Sequence, residues 1–259
     1  MSQIKTQGLI IKAINLNDND KIFTVLTREG EKLTLMSKGI RSQKHKDFSA
    51  LQLFCYSDFV IEKRGAMGYV TGATVINNFF GIRDSVEKVS FSAYICALLN
   101  AMPDDTGFSD EFYSFILNTL YLTQKIGGGD ASLKLGIIKL KVIFELCLAK
   151  ELGFMPDCVA CGGCSAKKDI KYFDICTGSV YCEKCYENVM SPSLVPLNDG
   201  AYNILGFIVC TQDLRAVFKA DGNINYFEQL NKISEMYLSY HTELAPTELY
   251  YLKNLLKIG

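Results

Sequence analysis

Two pairs of cysteines constrain this 259-residue chain more than any other feature of its sequence. Cys158 and Cys161 are separated by two residues, Cys182 and Cys185 are separated by two more, and twenty residues lie between the pairs. This spacing is typical of a structural zinc site, in which two tight turns face each other and four thiolates surround one ion. We therefore predict one structural Zn²⁺ per chain, with these four cysteines as its ligands.

Two further cysteines, Cys164 and Cys176, leave the ligand set open. Cys164 forms a second two-residue spacing with Cys161, so it could replace Cys158 or Cys161 as a ligand. We favour Cys158 with Cys161, because a pair of glycines then follows the second ligand directly, where the chain must curl back over the metal.

Other roles for these cysteines fit the sequence less well. Disulfides require an oxidising compartment, and the apolar run at residues 8–11 is cut off by Lys12 well short of a secretory signal. A thioredoxin-like motif would place one pair on a βα turn, not two pairs around a short hairpin. The two histidines, His45 and His241, lie far away in the sequence, and four thiolates leave no open position for catalysis. We expect a reducing cytoplasm and a non-catalytic metal.

Charge is unevenly distributed along the chain. The formal net charge is −1, but residues 1–80 hold eleven Lys and Arg against seven Asp and Glu, whereas residues 81–259 hold sixteen against twenty-one. A polyanion should therefore meet the N-terminal part first. No strongly apolar, uncharged stretch reaches the ~20 residues of a membrane-spanning helix, so we expect no membrane association.

The hydrophobic pattern predicts an α+β protein with one domain at residues 1–80 and another at 81–259. Short strands without a long helix among them predict a small closed barrel, with strands at 6–14, 21–27, 32–37, 51–62 and 69–76. Helical periodicity then predicts helices at about 84–103, 109–126, 131–152, 223–241 and 246–256. The zinc module, at about 155–190, interrupts the helical domain.

A basic segment joins the third and fourth predicted strands. Lys38, Arg41, Lys44 and Lys46 fall within nine residues, beside Gly39. Phosphate backbones bind such loops, because each cationic contact releases condensed counterions and Arg can grip two phosphate oxygens. A solvated loop without a partner is the alternative. Aromatic residues that could stack on bases are also present, although we expect most of them to fill the barrel: Phe23, Phe48, Phe54, Tyr56 and Tyr69.

The order and spacing of several segments resemble the family of the bacterial recombination mediator RecO. The resemblance covers nearly the whole chain, and no segment is decisive by itself. The matching segments are residues 8–30, the basic residues 37–44, residues 50–54, the zinc entry at 152–161 and the zinc exit at 173–185.

This resemblance implies an oligonucleotide-binding (OB) barrel of five strands, joined to an α-helical domain with a zinc-binding insertion. It implies a non-enzymatic protein of the bacterial cytoplasm and nucleoid that binds single- and double-stranded DNA and anneals complementary strands. The implied partners are RecR, in some bacteria RecF, and the C-terminal tail of single-strand-binding protein (SSB), with RecA loaded onto SSB-coated strands. This chain is less basic than many members, and Cys164 and Cys176 exceed the usual four cysteines.

Two other classes of function remain open from the sequence. One is a cytosolic enzyme that uses the cysteines, either a thiol oxidoreductase or a zinc hydrolase. No phosphate-cradling Gly-Lys motif, zincin helix or nucleophile elbow accompanies them, so we expect no enzyme activity. The other is a protein-interaction scaffold whose basic loop does not contact DNA.

Overall fold

The structure, a computed structural model, describes residues 3–65, 67–104, 106–189 and 191–258. Its chain divides into two compact units, one holding residues up to Gln124 with Pro246–Leu252, the other Lys125–Ala245 with the residues from Lys253 onward. The first unit contains the barrel, the two helices that follow it and most of the last helix of the chain. The domain boundary that the sequence places after residue 80 remains a prediction.

Five strands form a closed barrel in the first unit. They are β1 (Gln3–Asn15), β2 (Lys21–Thr27), β3 (Lys32–Ser37), β4 (Tyr56–Arg64) and β5 (Met67–Asn77). The order around the barrel is β1-β2-β3-β5-β4, and β4 returns to pair with β1. All neighbours are antiparallel except β3 and β5, which run parallel. The predicted barrel is confirmed, and its topology is that of an OB fold.

Every second side chain of a strand points into the barrel, and these inward-facing apolar residues form its core. Phe23 and Val25 on β2 point inward, as do Phe59 and Ile61 on β4, and all four are at most 2% exposed. The sequence places the start of the fourth strand at residue 51, but β4 begins at Tyr56. Residues 51–55 form turns instead, and several of their apolar side chains close one end of the barrel.

Two helices complete the N-terminal part of the first unit. α1 (Val86–Ala101) begins at Ser85, whose side chain accepts a hydrogen bond from the Lys88 N–H, as expected of an N-cap. α2 (Asp110–Lys125) follows, and the Tyr113 hydroxyl donates to the Leu26 carbonyl of the barrel at 3.1 Å. This bond and the surrounding packing attach the helix to β2.

The second unit is organised around α3 (Asp130–Glu151), which packs against α5 (Ile224–Thr242). Residues 140–149 of α3 are all buried, so this helix lies in the core of the second unit. The helix ends at Glu151, and Gly153 just beyond it has a φ of +87°, a backbone conformation that favours glycine. The last helix, α6 (Thr247–Leu256), belongs to the first unit as far as Leu252.

An ionic network is buried between α3 and α5. Lys141 Nζ lies 2.8 Å from Glu145 Oε1, and both side chains are fully buried. Lys141 also donates to Asn231 Oδ1 at 2.9 Å and contacts Glu235 Oε2 at 3.3 Å. The hydroxyl of Ser234 donates to Glu145 Oε2 at 2.6 Å. These contacts compensate the cost of removing the charges from water.

The sequence analysis missed one helix, α4 (Asp199–Cys210). Asn198 caps it by accepting a hydrogen bond from the Ala201 N–H, a signal that was visible in the sequence. The helix contains Gly200 and Gly206, which weaken a prediction of helix.

A four-stranded sheet forms the predicted insertion. Its strands are β6 (Asp157–Cys161), β7 (Ile170–Asp174), β8 (Ser179–Cys182) and β9 (Leu194–Pro196), in the order β6-β8-β7-β9. Gly178, with φ +69°, forms the turn between β7 and β8. Among the described residues, no helix has the length and apolar character needed to cross a membrane.

Candidate metal centre and nucleic-acid interface

Two turns of the small sheet bring four cysteines together. Cys161 ends β6 and Cys164 lies in the turn after it, while Cys182 ends β8 and Cys185 lies in the next turn. Their Sγ atoms all lie within 4.8 Å of one another, and those of Cys164 and Cys182 are 3.7 Å apart. Ligands of a tetrahedral ion with ~2.3 Å Zn–S bonds are ~3.8 Å apart, so this group could hold a metal ion.

Backbone N–H groups prepare Cys161 to be a thiolate. The N–H groups of Gly163 and Cys182 each donate a hydrogen bond to Cys161 Sγ at 3.4 Å. Burial opposes ionisation, but these donors together with Cys164 lower the pKa of Cys161 to about 6. Hydrogen bonds with the Cys164 and Cys182 thiols, by contrast, raise the pKa of Cys185 to about 12. A bound cation would displace the protons that remain on the cluster.

Gly163 lets the two turns approach closely. A Cβ atom at this position would lie 2.9 Å from the Cys185 Cβ and 3.0 Å from its Sγ. Any larger residue would therefore push Cys185 away from the other thiols. This close approach fits a group of four ligands around one ion.

The structure places Cys158, the first cysteine of the predicted set, outside this cluster. Its side chain is only 2% exposed, burial raises its pKa, and its carbonyl accepts a hydrogen bond from the Tyr202 hydroxyl. β6 pairs with β8 at its two ends, Asp157 with Ser179 and Cys161 with Val180. Cys161 is therefore the β6 cysteine that lies near Cys182. Cys164, which the sequence offers as the substitute, joins the cluster in place of Cys158.

Asp174 braces the turn that presents Cys182, and the sequence analysis did not assign it a role. It is 1% exposed and accepts hydrogen bonds from the hydroxyls of Thr177, Ser191 and Ser193 and from the Cys176 N–H. Burial works against ionisation, but these bonds lower the pKa of Asp174 below its ordinary value. Cys176 thus belongs to a hydrogen-bonded turn outside the cluster of four thiols. The Asp-x-x-Thr-Gly pattern was the available signal.

The four predicted DNA-binding residues all lie on the connection between β3 and β4, which we call the basic loop (residues 38–55). Lys38, Arg41, Lys44 and Lys46 are all exposed. The turn begins at Gly39, where φ is +66°. The positive charges are thus concentrated at the end of the barrel where β2 and β4 begin and β3 ends.

The basic loop is held in place at several points. The side chains of Ile40, Leu51 and Cys55 are buried in the barrel core. Asp20 accepts a hydrogen bond from the Gly39 N–H at 2.8 Å. Bonds with Asn17 and Gly39, together with the nearby charge of Lys38, lower the pKa of Asp20. The carboxylate is therefore ionised at neutral pH and fixes the start of the loop.

Two of the four cations are themselves anchored. Arg41 donates from Nη1 to the Asn17 carbonyl at 3.0 Å, and Lys46 donates from Nζ to the Thr71 carbonyl at 3.1 Å. Arg41 is thereby attached to the turn between β1 and β2, and Lys46 to β5. These contacts fix where the cations lie and reduce the entropy lost when a ligand binds.

The expectation that most of the five aromatic residues fill the barrel is wrong, since only two of them are buried. Phe23 and Phe54 are at most 3% exposed and belong to the interior, whereas Phe48, Tyr56 and Tyr69 are partly exposed. Phe54, near the end of the loop, is buried and adopts a positive φ of 71°. The loop therefore offers charge more than aromatic surface.

Comparison with known proteins covers both units. The family models described as "Recombination protein O N terminal" and "Recombination protein O C terminal" match residues 1–79 and 83–250. A curated relative from Acetivibrio thermocellus, named DNA repair protein RecO, is 29% identical over 261 residues that cover 100% of this chain and 99% of the relative. A relative of the same name from Caldicellulosiruptor bescii is 30% identical over 189 residues, which cover 72% and 74% of the two chains. One from Pelotomaculum thermopropionicum is 25% identical over 244 residues, covering 94% and 91%.

Proposed function

This chain belongs to the recombination protein O family, and on that premise we propose that it is a non-enzymatic recombination mediator in DNA repair. It binds single- and double-stranded DNA through the barrel and anneals complementary strands. Together with RecR, and with RecF where that protein is present, it helps to load RecA onto SSB-coated single strands. The observation that carries this proposal is the basic loop, with four exposed cations on a segment anchored in an OB barrel.

Annealing requires no covalent chemistry from the protein. Two DNA strands repel each other, and exposed cations lower that repulsion while releasing the counterions condensed on the phosphates. Arg41 adds a planar guanidinium that can donate to two phosphate oxygens at once. Because the loop is anchored at both ends, its cations are held at one place on the barrel.

The metal centre has a structural role in this proposal. Thiolate ligands favour Zn²⁺, and Cys161, Cys164, Cys182 and Cys185 would hold it. When bound, zinc would join the two turns and contribute free energy to the folding of the small sheet. Four thiolates leave no coordination position for a substrate. The cysteines therefore support the fold and not an enzymatic reaction.

Protein partners complete the proposed role. We propose RecR as the partner in RecA loading and the C-terminal tail of SSB as the element that brings the protein to coated strands. The protein acts in the bacterial cytoplasm at the nucleoid. The family assignment supports these proposed partners.

Strand annealing tests the proposal most completely. Complementary oligonucleotides coated with SSB are mixed with the wild-type protein or with a variant in which Lys38, Arg41, Lys44 and Lys46 are changed to Ala. We expect the variant to lose most of its annealing activity. A matched control changes three lysines and one arginine that are also exposed but lie in the second unit: Lys167, Lys168, Arg215 and Lys219.

The outcomes separate the main alternatives. If the control anneals like wild type and the basic-loop variant does not, the loop is the DNA contact. Equal annealing by both variants would contradict the proposal. If neither the wild type nor the variants bind DNA but SSB or RecR is still captured, the scaffold function is supported instead.

A further inference from the structure

A line of apolar side chains crosses four neighbouring strands of the barrel. Ile14 on β1 pairs with Ile22 on β2. Ile22 in turn pairs with Met36 on β3, and Met36 pairs with Tyr69 on β5. Residues that pair directly across strands lie on the same face of a sheet, so these four residues form one continuous line, which we call the apolar row. Three strand spacings of ~4.8 Å make it ~14 Å long.

The apolar row lies on the outer face of the barrel. Phe23 and Leu35, which neighbour the row on β2 and β3, point into the core and are at most 2% exposed. Gly68, the neighbour on β5, also faces inward, because a Cβ atom there would lie 2.6 Å from Leu35 Cδ2. Successive side chains of a strand point to opposite faces, so the row faces outward. Ile14 is 51% exposed, and the other three members are partly exposed.

Polar side chains border the apolar row along the strands. On the same outer face, Lys12 pairs with Thr24, and Thr24 pairs with Thr34. Lys12 and Thr34 are exposed, so this part of the face is open to solvent. Glu62 on β4 pairs with Tyr69 and ends the row with a carboxylate. The apolar surface is therefore a strip one residue wide.

The basic loop borders the other side of the apolar row. Lys38 follows Met36 by two residues, at the end of β3. Arg41 Nη1 donates to the carbonyl of Asn17, three residues beyond Ile14 in the turn after β1. Two exposed cations are thereby fixed next to the strip. Apolar surface and positive charge are available side by side on one part of the barrel.

This combination fits a single nucleic-acid strand better than a protein surface. A stable protein interface buries ~800 Å² per partner, far more than a strip of four side chains provides. Unpaired bases have flat apolar faces that stack on aromatic rings and lie close to their own phosphates. The Tyr69 ring offers such a platform, and the flexible thioether of Met36 adapts to flat groups. In a duplex the base faces are stacked on each other, so they cannot reach the strip.

We propose that the apolar row holds a few unpaired bases of a single DNA strand while the basic loop holds the adjoining phosphates, an inference that rests on the proposed function. Tyr69 stacks on one base, and Ile22 and Met36 pack against the next. The loop cations attract single strands and duplexes alike, whereas the apolar row selects single strands. Because the bases are held by their faces, their hydrogen-bonding edges stay open to a complementary strand.

A variant with Ile14→Thr and Ile22→Thr, which we call the row variant, tests this assignment. Threonine keeps the β-branched shape that strands favour and removes apolar surface. Ile76→Thr is the matched control, because Ile76 is 44% exposed on β5 and lies seven residues beyond Tyr69. Binding is measured by fluorescence anisotropy with three probes of about twelve nucleotides: an oligothymidylate, an abasic strand and a duplex.

We expect the row variant to bind oligothymidylate about three- to tenfold more weakly than wild type, and to bind the abasic strand and the duplex equally well. Ile76→Thr should match wild type on all three probes. Wild type should prefer oligothymidylate to the abasic strand by a factor that does not change with salt, because the apolar row carries no charge.

Tyr69 provides a second test that leaves both isoleucines in place. Tyr69→Phe keeps the ring and should bind oligothymidylate like wild type. Tyr69→Thr removes the ring and should bind it about tenfold more weakly, with the abasic strand unaffected. Equal binding by the two Tyr69 variants would contradict stacking on this ring.

Three results would overturn the proposal. The first is an equal loss on all three probes in the row variant, which would show that the isoleucines only support the barrel or the loop. The second is unchanged binding of oligothymidylate by the row variant. The third is unchanged DNA binding together with lost capture of RecR, which would make the apolar row a protein contact.

Failure of this inference can be distinguished from failure of the proposed function. The basic-loop variant should lose affinity for all three probes, because each of them carries phosphates. If only that variant is impaired, the loop contacts DNA and the apolar row does not hold bases. If wild type binds none of the probes, both the proposed function and this inference are overturned.

Discussion

Cys164 Sγ and Cys182 Sγ lie 3.7 Å apart, although the two residues are eighteen positions apart in the sequence. This separation matches that of two ligands on one tetrahedral ion. It identifies Cys164, rather than Cys158, as the companion of Cys161 in the first turn. The metal centre and the basic loop are the two features on which the proposed function depends.

The ligand assignment can be tested by serine substitution. Cys164→Ser should lose its metal, because three thiolates bind Zn²⁺ more weakly than four. Cys158→Ser should retain one ion per chain, since Cys158 lies outside the cluster. Elemental analysis of the purified proteins measures both. Retention of zinc by Cys164→Ser together with loss by Cys158→Ser would reverse the assignment.

Gly163→Ala should weaken metal binding without removing any ligand. The new methyl group would lie about 3 Å from the side chain of Cys185 and displace it. We expect faster release of zinc to a chromogenic chelator. Gly206→Ala is the control, since a Cβ atom there meets nothing within 4 Å. Equal release rates for the two variants and wild type would show that the close approach at Gly163 is unimportant.

Asp174 should stabilise the second unit in a pH-dependent manner. Its folded-state pKa is depressed, so its contribution is complete above the ordinary aspartate pKa and is lost as the pH falls through the depressed value. Asp174→Asn should therefore lower stability at neutral pH by about 1–3 kcal/mol, and the difference from wild type should narrow in acid. Urea unfolding at several pH values measures this. Asp58→Asn, at an exposed position, should have little effect; a similar loss in both variants would contradict the role of Asp174.

The buried ion pair of Lys141 and Glu145 should be costly to break. Lys141→Met leaves the Glu145 charge buried without its cation, and we expect a loss of about 3–5 kcal/mol in the free energy of unfolding. Adding Glu145→Gln should recover part of that loss. The control is Lys171→Met, which breaks an exposed pair with Asp199 and should cost far less. Similar losses for the two lysine variants would show that burial is unimportant here.

Much of the barrel could be predicted from local sequence signals. β2 and β3 have the predicted bounds, because alternation and polar turns mark both ends of each strand. The predicted start of β4, at residue 51, was five residues too early. The apolar residues 51–55 are buried, but they pack at the end of the barrel in turns, and burial alone does not distinguish a turn from a strand.

The cysteine cluster, in contrast to the barrel, depends on features that local sequence signals do not reveal. Spacing predicted a cluster of four cysteines, but both Cys158 and Cys164 form two-residue spacings with Cys161. The choice between them depends on the pairing of β6 with β8 and on Tyr202, which holds the Cys158 carbonyl. Pairing between β6 and β8 is a long-range feature that local patterns do not encode.

The salt dependence of single-strand binding tests the central claim most directly. Wild type, the basic-loop variant with four Ala substitutions and the matched second-unit control are titrated with a fluorescent oligonucleotide at several salt concentrations. Each lost phosphate contact should flatten the slope of log K against log salt by about 0.7. The account predicts weaker binding and a flatter slope for the basic-loop variant, with the control unchanged. Identical slopes for all three proteins would contradict it.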